Sequence, residues 1–219
     1  MPPKPKFTRE EVLAAALQIV REQGHEALTA RNLGAALNSS TRPLFTLFTG
    51  MEDIKNQLFE GPAMQVFYDY HSSFREYTPA FKRFGLMLVS FAEEEPHLFS
   101  FLFMCKHGNP RSVIEWADTQ IGSEAQAVLM RDYDLSPEVA QVLFTEEWLH
   151  TFSLCVLKVA GVVDLSAEEV SNSLSRSFIG LLSLAKAGRL LELGVNPMAI
   201  TDEQKLDIKQ VPTVDIVVE

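Results

Sequence analysis

The sequence predicts an all-α protein in which a small N-terminal unit of three short helices, arranged as a helix-turn-helix, precedes a larger helical body. Three observations support this prediction. Apolar residues recur at helical spacing from residue 9 to about residue 193, helix-capping residues stand between these stretches, and no alternating strand pattern occurs among them. Only residues 211–218 are β-like, and that stretch is short. A chain of 219 residues, 47% of them hydrophobic, can bury one core together with a small appended domain.

The first predicted helix spans residues 9–23. Thr8 and Glu11 have the spacing of a capping box before it. Gly24 ends the helix, because glycine adopts the left-handed conformation after a helix without steric cost. Residues 1–7 are expected to form a flexible arm.

Two further short helices complete the predicted N-terminal unit. Thr29 caps the second helix, which ends before Asn38, a residue type that tolerates the left-handed conformation of a tight turn. The third helix is predicted to begin at Ser39 or Ser40 and to end at Thr49-Gly50. Pro43 falls within its first turn, where the missing N–H costs little.

The body is predicted to begin with a helix near Met51, because the acidic Glu52 and Asp53 favour the positive end of a helix. Gly61-Pro62 should break or kink that helix. Further start signals are Thr78-Pro79, Asn109-Pro110, Ser136-Pro137 and a capping box from Ser166 to Glu169. The predicted organisation is therefore residues 1–50 as the helix-turn-helix domain with its arm, 51–194 as the helical body, and 195–219 as a tail.

Charge is distributed unevenly along the chain. The first 50 residues carry six basic and four acidic side chains, a net charge of +2, although the whole chain has a net charge of −10. The remaining residues therefore have a net charge of −12. This asymmetry indicates a nucleic-acid contact at the N-terminus, because an acidic body repels DNA.

Cysteine usage and hydropathy bound the location of the protein. Cys105 and Cys155 stand alone in apolar surroundings and are predicted to be reduced, buried thiols, with a redox switch as the alternative. No signal-peptide pattern is visible at the start of the chain. Apolar stretches such as residues 84–92 fall short of the roughly 20 residues that a membrane span needs. We expect a soluble, cytoplasmic protein without a membrane partner.

The predicted third helix has the composition of a helix that reads DNA. Its first residues should contact base edges, and Arg42 has the geometry to pair bidentately with guanine. Phe45 and Phe48 are predicted mainly as anchors that dock this helix on the first one, with Phe45 also available for contact. Lys4 and Lys6 in the arm add attraction to phosphates. The candidate DNA contacts are Thr29, Arg31, Ser39, Ser40, Thr41, Arg42, Pro43, Phe45, Thr46 and Met51.

Residues 8–58 resemble the N-terminal domain of TetR-family transcriptional regulators. The features that agree are Ala14-Ala15-Ala16 in the first helix, Gly24, the threonine-capped Leu28-Thr29-Ala30-Arg31, the turn Leu37-Asn38-Ser39-Ser40, the segment Leu44-Phe45-Thr46-Leu47-Phe48, and Glu52-Asp53-Ile54. The sequence departs from the family at Asn38, where glycine is frequent, at Phe45 and Leu47, where tyrosine and histidine are frequent, and at Met51, where a lysine contacts phosphate. The N–H of Met51 at a helix N-terminus remains available to a phosphate.

The body contains most of the aromatic residues: 12 of the 15 phenylalanines, both tryptophans and all four tyrosines follow residue 50. Core packing explains any one of them, whereas the set as a whole is suited to an apolar ligand cavity. The family resemblance implies such a cavity for an effector. The predicted lining is Phe67, Tyr70, Phe74, Phe91, Phe103, Trp116, Phe144, Trp148 and Phe152, and the ligand is expected to be a small hydrophobic molecule.

The last two helical stretches have wide apolar faces, about residues 138–160 and 167–190. Long apolar helices at the end of a chain of this size suggest a subunit interface, and TetR-family proteins dimerise there through a four-helix bundle. The alternative is that this face only closes the core of the monomer. The predicted interface residues are Val170, Leu174, Phe178, Leu181, Leu182 and Ala185.

Patterns of catalysis and metal binding are not recognisable. His97 follows three glutamates, but consecutive carboxylates on a helix point in different directions, so a solvated acidic helix end is favoured over a metal site. There is no nucleophile elbow, paired-carboxylate pattern or phosphate-binding glycine loop. We therefore predict no enzyme, no cofactor and no metal.

Together these features predict a ligand-responsive transcriptional regulator, a repressor, that binds palindromic operator DNA as a homodimer and is released by a small hydrophobic effector. One alternative is a helical protein-interaction module that has lost DNA recognition. Another is a small helical enzyme, which the lack of a polar catalytic cluster disfavours.

Overall fold

The all-α prediction is confirmed. The computed structural model describes residues 6–107, 112, 114–115 and 120–193, and within these ranges regular structure is entirely helical. None of the helices in these ranges is long and apolar enough to cross a membrane.

The N-terminal unit opens with α1 (Arg9–Gln23), whose predicted capping box is present. The N–H of Glu11 donates to Thr8 Oγ1 at 3.2 Å, and the N–H of Thr8 donates to the Glu11 carboxylate at 2.8 Å. Gly24 follows with a φ of +84°. Helix α2 (Ala30–Ala36) then starts at Thr29, whose Oγ1 accepts from the N–H of Asn32 at 3.2 Å.

The predicted third helix is wrong in type and length. Between Ser39 and Gly50 the chain makes only a single 3₁₀ turn, Leu44–Thr46, preceded by a bend. The segment is rich in serine and threonine, whose hydroxyls bond to nearby backbone groups, and its proline lacks an N–H donor, so a helix does not propagate. Thr46 illustrates this, since its hydroxyl donates to the Pro43 carbonyl at 2.7 Å.

The turn after α2 depends on two backbone features. Asn38 has a φ of +50°, as its sequence position predicted. Ser39 donates its N–H to the Gly34 carbonyl at 2.8 Å, and a Cβ on Gly34 would lie 3.0 Å from the Ser39 carbonyl oxygen. Glycine at this position therefore lets the turn close directly on α2.

The body is built from eight further helices within the described ranges. Gly61-Pro62 distorts the chain as predicted, because Pro62 lies in a wide π-helical turn, Phe59–Ala63, that links two of these helices. The helices are α3 (Met51–Leu58), α4 (Met64–Ser73), α5 (Lys82–Glu94), α6 (Pro96–Phe99, extended by a π turn, Ser100–Met104), α7 (Gln120–Tyr133), α8 (Pro137–Val159), α9 (Ala167–Lys186) and α10 (Leu190–Leu193).

The predicted helix starts in the body have different outcomes. Ser136 caps α8 with Pro137 as its first residue, and Ser166 opens α9 with a full capping box. Thr78-Pro79 does not cap a helix: the Thr78–Pro79 peptide is cis, and α5 begins at Lys82. Asn109-Pro110 and the tail, residues 195–219, lie outside the described residues.

The core of the body lies where α5 packs along α8, with α4, α6, α7 and α9 around them. Phe67 is fully buried and meets Phe91 and Phe103 edge-on, each with ring centroids 5.0 Å away. Aromatic pairs in this geometry stabilise a core beyond the area that they bury.

The N-terminal unit is joined to the body through α1. Arg21, in the last turn of α1, donates from Nε to the carboxylate of Glu95 at 3.0 Å, and Glu95 follows the end of α5. At the other end of α1, Arg9 donates to Gln57 Oε1 of α3 at 2.9 Å. The helix α1 therefore contacts both the start of the body and the junction of α5 with α6.

Candidate DNA-contact surface and body cavity

The turn surface comprises the exposed side chains of Arg31, Ser40, Arg42, Phe45 and Thr46, on α2 and on the turn that follows it. Arg31 and Arg42 form neither a hydrogen bond nor an ion pair with any described residue. Two free guanidinium groups, with exposed hydroxyls on the same segment, suit phosphate oxygens and base edges.

The other predicted DNA contacts lie less freely on this surface. Thr29 is exposed, but its hydroxyl already caps α2. Lys6 Nζ donates to Ser39 Oγ at 2.9 Å, so a third cation is held against the turn and the Ser39 hydroxyl is engaged. Half-buried positions are occupied by Thr41, by Pro43 and by Met51, the first residue of α3.

The two aromatic residues of this segment have different environments. Phe48 is buried, and the guanidinium of Arg9 lies 5.0 Å from its ring centroid. Phe45 is 44% exposed and does not anchor the segment; the anchor that the sequence prediction missed is Leu44, which is fully buried. An exposed phenylalanine three residues after Arg42 offers an apolar face to a thymine methyl.

The body contains a cavity of about 220 Å³ between α5, α8 and α9, and Tyr133 at the end of α7 also lines it. The exposed lining residues Pro79 and Ile179 mark its opening. The residues lining the cavity are Pro79, Phe81, Lys82, Phe84, Gly85, Tyr133, Phe144, Glu147, Trp148, Thr151, Leu174, Ser175, Phe178 and Ile179.

Of the nine aromatic residues predicted to line a cavity, the structure places two, Phe144 and Trp148, at this one. Phe74 lines a second, more polar depression that also contains Glu93 and Lys158. Trp116 lies outside the described residues. The others pack against one another or against further core residues, because large rings fill the interior wherever helices meet; they are Phe67, Tyr70, Phe91, Phe103 and Phe152.

Glu147 is the acidic residue of the cavity lining, and the sequence prediction missed it. Its residue surface is only 5% exposed, and burial raises the pKa of its carboxyl group to about 7. Ser177 donates its hydroxyl to Glu147 Oε1 at 2.8 Å. Its helical spacing to Phe144 and Thr151, one turn before and after it, was the available signal for a buried face.

Lys82 is the basic residue of the cavity lining. Its Nζ donates to Ser171 Oγ at 2.7 Å and to Ser175 Oγ at 2.9 Å, both on α9. No ion pair joins it to Glu147 within the described part of the chain. The cavity therefore holds one acidic and one basic group that do not neutralise each other.

The predicted interface residues of α9 differ in how deeply they are buried. Val170 and Leu174 are buried in the core of this chain, which corrects their assignment to a subunit contact. Phe178 lines the cavity and stacks on Phe81 at 4.9 Å. Leu181, Leu182 and Ala185 are half-buried. The exposed apolar side chains of the last two long helices are Leu149, Leu157 and Ile179, at 38%, 37% and 62% exposure.

A buried ionic cluster lies beside the cavity wall. Arg83 forms an ion pair with Glu124, and its Nη1 donates to the Arg75 carbonyl at 3.1 Å. His71 stacks on Phe84, and burial lowers the pKa of its imidazole. These groups connect α4, α5 and α7, so their arrangement is explained by packing.

Within residues 6–107 and 120–193, no three histidine, cysteine or acidic side chains gather in a way that would hold a metal ion. Cys155 is buried, which raises the pKa of its thiol to about 12 and keeps it protonated.

No protein-family model matches this chain, and no curated protein matches its sequence. The resemblance of residues 8–58 to TetR-family regulators stays a prediction.

Proposed function

We propose that this protein is a ligand-responsive transcriptional regulator of the TetR type, which binds operator DNA through its turn surface and responds to a small molecule in the body cavity. The observation that carries the proposal is the pair of exposed, unpaired guanidinium groups of Arg31 on α2 and Arg42 on the polar turn that follows, ahead of an acidic body. Arginine that folding does not engage is available for phosphates and for guanine.

Binding as a homodimer is part of the proposal. The exposed apolar side chains Leu149 and Leu157 on α8 are the positions that a second copy would cover. Two copies related by a twofold axis would present two turn surfaces to the half-sites of a palindrome. Repression is the expected mode of action, with the effector shifting the population away from the DNA-bound arrangement.

The test is fluorescence anisotropy of the full chain with DNA taken from upstream of its own gene, at several salt concentrations. We expect selective binding that weakens as salt rises, because phosphate contacts release counterions. Arg42→Ala should lower the affinity by about 10- to 100-fold, the effect of losing a bidentate base contact.

Arg75→Ala is the matched control, since it removes an exposed arginine from the body instead of the turn surface. It should leave the affinity within about twofold. Equal losses in both variants, or no selective binding by the unmodified protein at low salt, would contradict the proposal. The alternative function is a protein-interaction module, which the exposed Phe45 supports. Absence of selective DNA binding at low salt would favour this alternative.

A further inference from the structure

We infer that the cavity takes a small amphipathic organic amine, whose ammonium group pairs with the Glu147 carboxylate while its apolar part lies among the aromatic walls. This inference rests on the proposed function only in treating the bound amine as the effector. The binding site itself is argued from the cavity alone.

The first support is the unbalanced charge of Glu147. Its side chain is almost entirely buried, lines the cavity, and receives a hydrogen bond from the Ser177 hydroxyl but no ion pair from any described residue. A buried carboxylate is costly unless a cation and hydrogen bonds compensate it. Burial raises the pKa of this carboxyl group to about 7, so it titrates near neutral pH, and a ligand ammonium would supply the missing cation and favour the charged form.

The second support is the chemistry of the walls. Phe81, Phe84, Trp148 and Phe178 line the cavity around Glu147. Aromatic faces attract cations through the ring quadrupole and offer apolar contact to a hydrocarbon chain. The same faces do not favour an anion, so the walls and the carboxylate select the same ligand charge.

Lys82 would instead favour an anionic ligand, which is the alternative to an amine. Its ammonium is half-buried and already donates to the hydroxyls of Ser171 and Ser175. Glu147 is more deeply buried and has only one such partner, so the unsatisfied charge of the cavity is negative. We therefore expect the cavity to bind an amine in preference to an anion.

Size restricts the ligand further. At about 220 Å³ the cavity is smaller than the roughly 300–1,000 Å³ typical of drug-sized pockets. A single aromatic ring on a short chain, as in 4-phenylbutylamine, is a suitable probe. The alcohol and the carboxylate of the same skeleton, 4-phenylbutan-1-ol and 4-phenylbutanoate, differ from it only in the head group.

The experiment is calorimetric titration of the full chain with these three probes near pH 8. The amine should bind at least about tenfold more tightly than the alcohol, as expected of a desolvated charge pair, and the carboxylate should bind weakest. Glu147→Gln should remove that tenfold advantage and leave the alcohol within about threefold of its original affinity. Glu146→Gln, which changes the exposed neighbour on the same helix, should change neither.

The pH dependence adds a second readout. Amine affinity should rise between about pH 5.5 and pH 8, because the Glu147 carboxyl must lose its proton to pair with the ammonium. Other ionisable side chains around the site are Lys82 from α5, Tyr133 from α7 and His150 of α8, which shares a hydrogen bond with Ser173 of α9. All three remain in Glu147→Gln, so only the pH dependence that this variant loses belongs to Glu147.

Three results would overturn the inference: an amine that does not bind, an alcohol or carboxylate that binds as tightly, or full amine affinity in Glu147→Gln. Each is independent of DNA. Failure of the proposed function would be seen separately, as amine binding by a protein that shows no selective DNA affinity.

Discussion

The turn surface and the cavity place different demands on their candidate residues. At the turn surface Arg31, Arg42 and Phe45 point outward, and the fold is complete without them. In the cavity Phe84 and Trp148 face open space and also belong to the hydrophobic core. A change at the turn surface should therefore alter binding with little effect on stability, whereas a change in the cavity should alter both.

The largest expected effect separates two aromatic residues of the turn segment. Phe48→Ala should lower the free energy of unfolding by about 3–5 kcal/mol, because it empties a buried site. Phe45→Ala should cost less than about 1 kcal/mol, since its ring is 44% exposed, but it should weaken DNA binding. Urea unfolding and DNA anisotropy of both variants check this. Equal losses of stability in the two variants would contradict the distinction between the buried Phe48 and the exposed Phe45.

A smaller effect is expected from the acid of the cavity. Burial raises the pKa of Glu147 from 4.5 to about 7, so the native state binds its proton more tightly than the unfolded chain does. The free energy of unfolding should therefore fall by up to about 3 kcal/mol between pH 5 and pH 8, as the native carboxyl group is forced to ionise. Urea unfolding at both pH values should show that Glu147→Gln lacks this fall.

The matched control for that prediction is Glu146→Gln, whose side chain is exposed on the same helix. It should retain the fall in stability between pH 5 and pH 8. If the stability of the unmodified protein and of Glu147→Gln responds identically to pH, burial does not destabilise the Glu147 carboxylate. The cavity would then not differ from the turn surface in its electrostatics.

The smallest effect concerns a residue with two assignments. Thr29 is a candidate DNA contact, and its hydroxyl also caps α2. Thr29→Ala should cost about 1 kcal/mol of stability, the usual effect of losing an N-cap. Thr29→Ser keeps the hydroxyl and should restore thermal stability in circular dichroism. A stable Thr29→Ala variant would move this residue from a structural role to one in binding alone.

Local sequence signals predicted the first two helices and the turn of the N-terminal unit, but not its third segment. Capping residues at Thr8 and Thr29 and the turn at Asn38 depend on hydrogen bonds within a few residues, so the sequence alone indicates them. The third helix failed because Pro43 and the neighbouring hydroxyls favour a tight turn over an α-helix. Which side chain anchors that turn depends on packing against residues distant in sequence, and Leu44 has taken the place expected of Phe45.

The cavity was predictable only as a property of the body. The abundance of aromatic residues indicated that a cavity was possible, but which rings line it is decided by how helices far apart in sequence meet. Phe67 and Phe91 fill the core, while Phe81, from the segment before α5, and Phe178, from α9, stack on each other in the cavity lining. Glu147 is the exception, because an acidic residue at the helical spacing of the buried Phe144 and Thr151 is visible in the sequence of α8.

One consequence follows from the position of α5. Lys82 and Gly85 at its start line the cavity, and Glu95 beyond its end holds Arg21 of α1. Thirteen helical residues make a rod about 20 Å long. A tilt of about 5° at the cavity end would displace the far end by about 2 Å over that length. α5 thus joins the cavity to α1 as one rigid element, and the contact between Glu95 and Arg21 is where a displacement of α5 would reach the N-terminal unit.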